Sequence, residues 1–331
     1  MQIWMDDTTC GLHISVIDAL TIQGLEVITM LQEFYRQPPT YERVQEAIWS
    51  LQEHYPCLKV FPIGKSVLGR HINALSIGNP TGATLFVGAT HGLEWLTCMI
   101  LIKFCENLLN ALETGGKVSD IDVGRALCNR SLVIVPCLNP DGVEIALQGT
   151  AGAGNRADCI EEMLQGQDPR LVWQANANGV DLNHNFDAGW CIVKAMEMAA
   201  GITSPGPTRF GGVHPHSEPE TIAITTFCMT HQPRSLYSLH SQGEEIYWYY
   251  GCNTPARSKM MAQILASSSG YALAKPVEMA SHGGLKDWFI EKFRRPGFTI
   301  EVGLGKNPLG LEQLDGIYRK IEEMLVIATL L

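Results

Sequence analysis

Ala83-Thr84-Leu85-Phe86-Val87-Gly88-Ala89-Thr90-His91-Gly92-Leu93-Glu94-Trp95 is the stretch on which the reading of this chain turns. Its first half is an apolar run of strand length without polar alternation, the pattern of a strand covered on both faces, as in a parallel sheet. Its second half sets an imidazole and a carboxylate three positions apart directly behind that strand. Residues 95 to 112 then read as a helix, and Ser131 to Val135 is a second buried strand that ends at Pro136. Strand, helix and strand in alternation imply an α/β sheet with parallel members, whose functional groups gather at the carboxyl ends of its strands.

Upstream of this unit, Val44, Ile48 and Leu51 mark a helix from Tyr41 to the Tyr55-Pro56 break, and LKVFPIG and HINALSIG alternate as strands. Residues 40–331 are therefore expected to form a single catalytic domain. Residues 1–39 read as an N-terminal extension with one helix, because Ile22, Leu25, Ile28, Leu31 and Phe34 recur at helical spacing before Pro38-Pro39. Downstream come a Gly/Pro-rich loop from Gly201 to Pro215 and a helix opened by Ser217-Glu218-Pro219-Glu220, with capping-box spacing between Ser217 and Glu220. A strand from Ser235 to Leu239, a helix from Leu285 to Lys292, a strand from Gly297 to Val302 and a helix from Gln313 to Leu330 follow. The fold class expected is α/β, a mixed twisted sheet flanked by helices.

The 331 residues are 46% hydrophobic and 18% charged, a balance that suits a globular core and neither disorder nor a membrane bundle. With 24 Lys+Arg against 34 Asp+Glu, a net charge of −10 and no basic run longer than Arg294-Arg295, nucleic acid and anionic membranes are excluded as main partners. No eighteen apolar residues run together, and the first residues lack a basic segment followed by an apolar one, so a soluble cytosolic protein is expected. Its ten cysteines include no C-x-x-C pair and are expected to be reduced.

His91 and Glu94 can hold one divalent metal between them, although H-x-x-E alone also occurs often as a surface pair. Catalytic zinc takes three protein ligands and keeps one position open, so a third ligand is required. The best candidate is His240, which ends SLYSL and enters Ser241-Gln242-Gly243. Glu301, inside Phe298-Thr299-Ile300-Glu301-Val302, is an acid in an apolar strand; either it acts on a water at the metal or the strand is an edge and Glu301 faces solvent. Gly179-Val180-Asp181-Leu182-Asn183-His184-Asn185-Phe186-Asp187 reads as a strand-to-loop transition in which Asp181 is placed to orient an imidazole ligand.

Together these motifs resemble the zinc metallocarboxypeptidase family, from about Tyr41 to the end. The matches are H-x-x-E-W at 91 to 95, Asn-Pro-Asp-Gly at 139 to 142, GVDLNHNF at 179 to 186, SEPET at 217 to 221, His240, Gly-Gly-x-x-Asp-Trp at 283 to 288 and Phe-Thr-Ile-Glu at 298 to 301. The resemblance implies one Zn2+ per chain on His91, Glu94 and His240, Glu301 as general base and acid, Asp181 bonded to His91, and Asn183 holding the substrate's terminal end. Where the family usually carries arginines this chain has His184 and Gln174; Met279 stands where digestive members have a mobile tyrosine, and Lys286 occupies the pocket floor. A lysine there favours a substrate side chain ending in a carboxylate.

That combination is similar to one branch, the γ-D-glutamyl-meso-diaminopimelate peptidases. It implies hydrolysis of that amide in bacterial cell-wall (murein) peptides, with Lys286 facing the distal carboxylate of diaminopimelate and Glu244 or Glu245 its amine, and it suits recycling of internalised wall fragments. Two alternatives stay open: a zinc carboxypeptidase or deglutamylase for C-terminal acidic residues, and a metal-holding wall-peptide binding module without turnover.

Overall fold

A computed structural model describes residues 30–275 and 281–331. Most of the expected N-terminal helix, and Met279, therefore lie outside the described residues; residues 30–34 are helical, and Leu31 and Phe34 are buried in the main core. The strands are β1 (Leu58–Lys65), β2 (His71–Ile77), β3 (Thr84–Val87), β4 (Lys117–Val118), β5 (Ile121–Asp122), β6 (Leu132–Val135), β7 (Ser235–His240), β8 (Glu245–Tyr247), β9 (Ala272–Ala274) and β10 (Gly297–Glu301). The main helices are α1 (Tyr41–His54), α2 (Leu96–Thr114), α3 (Pro140–Gln148), α4 (Trp190–Ala199), α5 (Pro219–His231), α6 (Arg257–Ser269), α7 (Leu285–Phe293) and α8 (Leu314–Leu330).

Eight strands form one mixed sheet in the order β1-β2-β6-β3-β7-β10-β8-β9, and β4 and β5 make a separate ribbon. The four central strands β6, β3, β7 and β10 are parallel, while β2 runs antiparallel to β6 and β8 antiparallel to β10. The chain leaves β3 first toward β6 on one side and later returns as β7 on the other. The carboxyl ends of β3 and β7 thus flank a switch point, where open α/β sheets place their ligands.

Helices cover both faces, and strand alternation sorts the side chains between them. Phe86, Tyr237, Leu239, Phe298 and Ile300 point into the core shared with α1, α2 and α8, whereas Leu85, Val87 and Leu236 face α5 and α7. On the first face the rings of Phe86 and Tyr237 stack with centroids 5.0 Å apart, and those of Tyr237 and Phe298 likewise at 5.0 Å, so one aromatic column ties together β3, β7 and β10. Alternation then sends His240 and Glu301 to the opposite face from Leu239 and Ile300. The parallel register sets Glu301 directly beside His240. The stretch Gly92–Thr114 is long and apolar enough to cross a membrane by composition, yet 72% of its most apolar window is buried inside the fold.

Two local expectations are corrected. Ser217 and Glu220 do not form a capping box: the N-cap of α5 is Glu218, without a side-chain cap bond. Ser217 Oγ donates to Glu218 Oε1, and Glu220 turns inward to accept from the backbone N–H of Val67 and from Asn176. Long-range donors thus outcompete the local pattern. The segment around Asp181 is not a strand but a 3-10 turn, Leu182–His184, capped by the Asp181 carboxylate through the N–H of Asn183.

Candidate active site

The β3 strand ends at Val87, and the chain turns through Ala89, which carries a positive φ of 45°. That turn is pinned by Thr97, whose hydroxyl accepts from the Ala89 N–H at 2.7 Å and donates to the Glu94 carbonyl at 2.7 Å. Gly92 is squeezed between neighbouring loops: a Cβ there would lie 2.3 Å from the Gly142 carbonyl oxygen and 2.8 Å from that of Trp173. Only glycine lets His91 and Glu94 dock this closely. Asn139 fastens the same loops, accepting from the Gly142 N–H at 2.8 Å and donating to the carbonyls of Thr90 and Ala175, each at 3.1 Å.

His91, Glu94 and His240 converge, with one ligand atom from each within 4.8 Å of the others. Glu94 reaches both imidazoles, Oε1 to His91 Nδ1 and Oε2 to His240 Nδ1, each at 2.9 Å, and the two Nδ1 atoms are 3.3 Å apart. The far nitrogens are engaged elsewhere: His91 Nε2 lies 3.2 Å from Asp181 Oδ1, and His240 Nε2 lies 3.1 Å from Ser238 Oγ. Both nitrogens of His91 thus face carboxylates, which only accept; in the ligating tautomer Nε2–H donates to Asp181 and Nδ1 is left to share a cation with Glu94. Two ring nitrogens and a carboxylate converging on one point need a proton or a metal cation among them, and two imidazoles plus a carboxylate are a donor set zinc takes. The residues fit that metal.

The charges of the site agree. Burial alone would push His91 down, but Glu94 and Asp181 outweigh it and raise its pKa well above the usual histidine value. Burial would raise Glu94, yet His91 and His240 bring it to about 2. Asp181 is held below the usual carboxylate range despite its burial, by His184 and His91. Glu301 moves the other way: loss of hydration and the neighbouring Glu94 charge raise its carboxyl well above the ordinary value. Beside the cluster therefore stands a carboxyl group that holds its proton more tightly than an exposed glutamate does.

The remaining expected residues divide into those close to this cluster and those committed elsewhere. Gln174 accepts from Thr208 Oγ1 at 2.6 Å through Oε1, which leaves its amide N–H groups to donate. Asn183 accepts from the Leu285 N–H at 3.1 Å. His184 Nδ1 is buried, 3.6 Å from Asp181 Oδ2, without a hydrogen bond. Lys286 is only 4% exposed; its ammonium pairs with the buried Asp287, donates to the Tyr249 carbonyl at 3.2 Å and lies 5.6 Å from the centre of the Tyr250 ring. Tyr249 and Tyr250 also line a cavity of about 530 Å³ with Gly251, His282 and Glu291.

Glu244 points away, its carboxylate 2.5 Å from Lys320 Nζ on α8. Its neighbour Glu245 is the one opposite Glu301 in the register. Glu244 has a positive φ of 53°, and that turn rotates it out before the strand begins. Sequence reasoning missed Ser238 and Thr208, which hold His240 and Gln174. Period-two alternation from His240 back to Ser238 was the available signal for the first; nothing local pointed to the second.

An eight-stranded mixed sheet carrying a His-Glu-His cluster at its switch point, with a carboxyl group beside it, defines a metallopeptidase of the carboxypeptidase class. A family model described as zinc carboxypeptidase matches residues 44–325, and the chain belongs to that family. It is 34% identical over 281 residues to gamma-D-glutamyl-L-diamino acid endopeptidase 1 of Lysinibacillus sphaericus, covering 85% of this chain and 69% of that one. It is 33% identical over 284 residues to the uncharacterized protein YqgT of Bacillus subtilis (strain 168), covering 85% and 74%. Among solved structures, carboxypeptidase A from Helicoverpa armigera superposes with a TM-score of 0.64 at 19% identity over 89% of this chain and 73% of that one, a likeness of fold.

Proposed function

We propose that this peptidase hydrolyses the amide between γ-D-glutamate and meso-diaminopimelate in bacterial cell-wall peptides. The observation that carries the reading is the convergence of His91, Glu94 and His240 beside a carboxyl group of raised pKa, in a chain one third identical to a gamma-D-glutamyl-L-diamino acid endopeptidase. His91, Glu94 and His240 would hold zinc, which when bound supplies a Lewis acid for the scissile carbonyl and activates water. Glu301 takes a proton from the attacking water and delivers it to the leaving amine, its carboxyl raised above the ordinary value by burial and by the Glu94 charge.

Asp181 keeps His91 in the tautomer that ligates. The Gln174 amide, held by Thr208, faces the developing oxyanion as a neutral donor in place of an arginine. Asn183 and His184 position the substrate. Lys286, buried and ion-paired with Asp287, is the cation we assign to the far carboxylate of diaminopimelate. We also infer action in the cytosol, supported by the nine described cysteines, all free thiols and five of them exposed, as a reducing compartment allows.

The test is mass spectrometry of L-Ala-γ-D-Glu-meso-diaminopimelate incubated with zinc-loaded protein, beside Glu301→Gln and a blocked C-terminal dipeptide. Release of diaminopimelate by the unaltered protein, and at least about a hundredfold less by Glu301→Gln with zinc retained, is expected. Cleavage of the dipeptide alone would refute the substrate, and full activity of Glu301→Gln would refute the mechanism.

A further inference from the structure

Arg70 is paired with Asp141 and Lys194 with Glu197, and Lys286 is the cation already assigned to the leaving side of the bond. Arg209 is different. It is exposed, and among the described residues its guanidinium makes neither a hydrogen bond nor an ion pair. Yet its backbone is held tightly. Its N–H donates to Asp181 Oδ2 at 3.0 Å, on the carboxylate whose other oxygen meets His91. The preceding Thr208 is fixed to Gln174, and the following Phe210 is buried, its carbonyl accepting from the Asp181 N–H at 2.7 Å. Arg209 itself has a φ of 69°, a conformation costly for a residue with a Cβ. The bonds around this strained residue fix its backbone, while its guanidinium has no partner among the described residues.

The substrate class proposed above supplies a partner. When glutamate is linked through its γ-carboxyl, its α-carboxylate stays free, about 5 Å along the chain from the scissile carbon when extended. A peptide whose acyl residue carries no second carboxylate has no anion at that place. A guanidinium presents a planar fork that matches a carboxylate through two parallel hydrogen bonds. We propose that Arg209 binds the free α-carboxylate of the γ-linked glutamyl residue and thereby selects substrates whose acyl residue carries that carboxylate. This inference rests on the wall-peptide reading and assigns the recognition of the acyl side of the bond, as Lys286 was assigned to the leaving side.

The experiment compares L-Ala-γ-D-Glu-meso-diaminopimelate with the same peptide carrying an α-carboxamide, D-isoglutamine in place of D-glutamate. The protein is expected to favour the carboxylate by about tenfold to a hundredfold in kcat/KM, the range for a charge-assisted pair. Arg209→Gln should bring that ratio near one, and Arg209→Lys should recover part of it. Calorimetry gives a readout apart from turnover: L-Ala-D-Glu should bind at least about tenfold tighter than L-Ala-D-isoGln, and only while Arg209 is present. Equal cleavage of both peptides by the unaltered protein, or an equal loss on both in Arg209→Gln, overturns this inference and leaves the wall-peptide reading standing. Cleavage of neither overturns that reading and this inference with it.

Discussion

Replacing Asp181 by asparagine tests the link between the loop scaffold and the metal. The carboxylate serves four donors: Oδ1 faces His91 Nε2 at 3.2 Å and the Asn183 N–H at 3.2 Å, while Oδ2 faces the Arg209 N–H at 3.0 Å and Thr208 Oγ1 at 3.4 Å. Asparagine keeps one acceptor oxygen and turns the other into an N–H2 donor. In one orientation that donor opposes Arg209 N–H, and a buried unpaired donor costs about 1–3 kcal/mol of stability. In the other it opposes His91 Nε2–H and pushes the imidazole toward the wrong tautomer, which typically costs roughly 10–100-fold in metal affinity, or about 1.4–2.8 kcal/mol. The loss therefore appears either in zinc affinity or in stability. Competition against a chromophoric chelator at neutral pH reads the first, and urea denaturation of the zinc-free protein reads the second. An Asp181→Asn protein with zinc affinity within twofold of the original and an unchanged denaturation midpoint would refute the argument that this carboxylate sets the state of His91.

Gly92→Ala should displace the His91–Glu94 loop, because its new methyl would lie 2.3 Å from a backbone oxygen, and is expected to cost about 2 kcal/mol or more along with at least tenfold in zinc affinity, read by thermal melting and chelator competition. Lys286→Ala strips the buried Asp287 of its cation and should destabilise the fold by about 3–5 kcal/mol in urea titrations, whereas Lys286→Ala with Asp287→Asn should recover part of that loss. Glu220 has a carboxyl raised to about 8 by burial, partly offset by Asn176 and the Val67 N–H. A folded-state pKa above the unfolded one means the native protein holds the extra proton, so this contribution is full below about pH 4.5 and is lost as pH rises toward 8. Glu220→Gln should flatten stability against pH across that window, and an unchanged slope would show that Glu220 stays ionised in the fold.

Much of the site was legible because its chemistry rides on local patterns. An apolar run as short as Ala83 to Gly88 marks a buried strand, and the turn after it must deliver His91 and Glu94 together, since only Gly92 and Leu93 separate them. Glu301 stood out because a charge inside Phe-Thr-Ile-Glu-Val needs a partner or a function. The reading went astray where a local rule met a stronger distant partner. Ser217 and Glu220 had capping-box spacing, but Asn176 and Val67 offered Glu220 better bonds; Glu244 and Glu245 stood as alternatives, and a positive φ at Glu244 turns it toward Lys320.

Periodicity and spacing by themselves determined the alternating α/β architecture, the H-x-x-E pair and the acid in its apolar strand, because each depends on residues only a few positions apart. Tertiary structure decided which distant groups complete them. His240 lies 149 positions from His91 and reaches it only because β7 pairs beside β3. The parallel register of β7 and β10 puts Glu301 rather than a neighbour next to that histidine. The loop carrying Thr208 and Arg209 meets Asp181 through backbone bonds that no composition or spacing encodes. The reason is physical: local pattern sets which face a side chain takes, while strand order and loop docking set which other faces it meets.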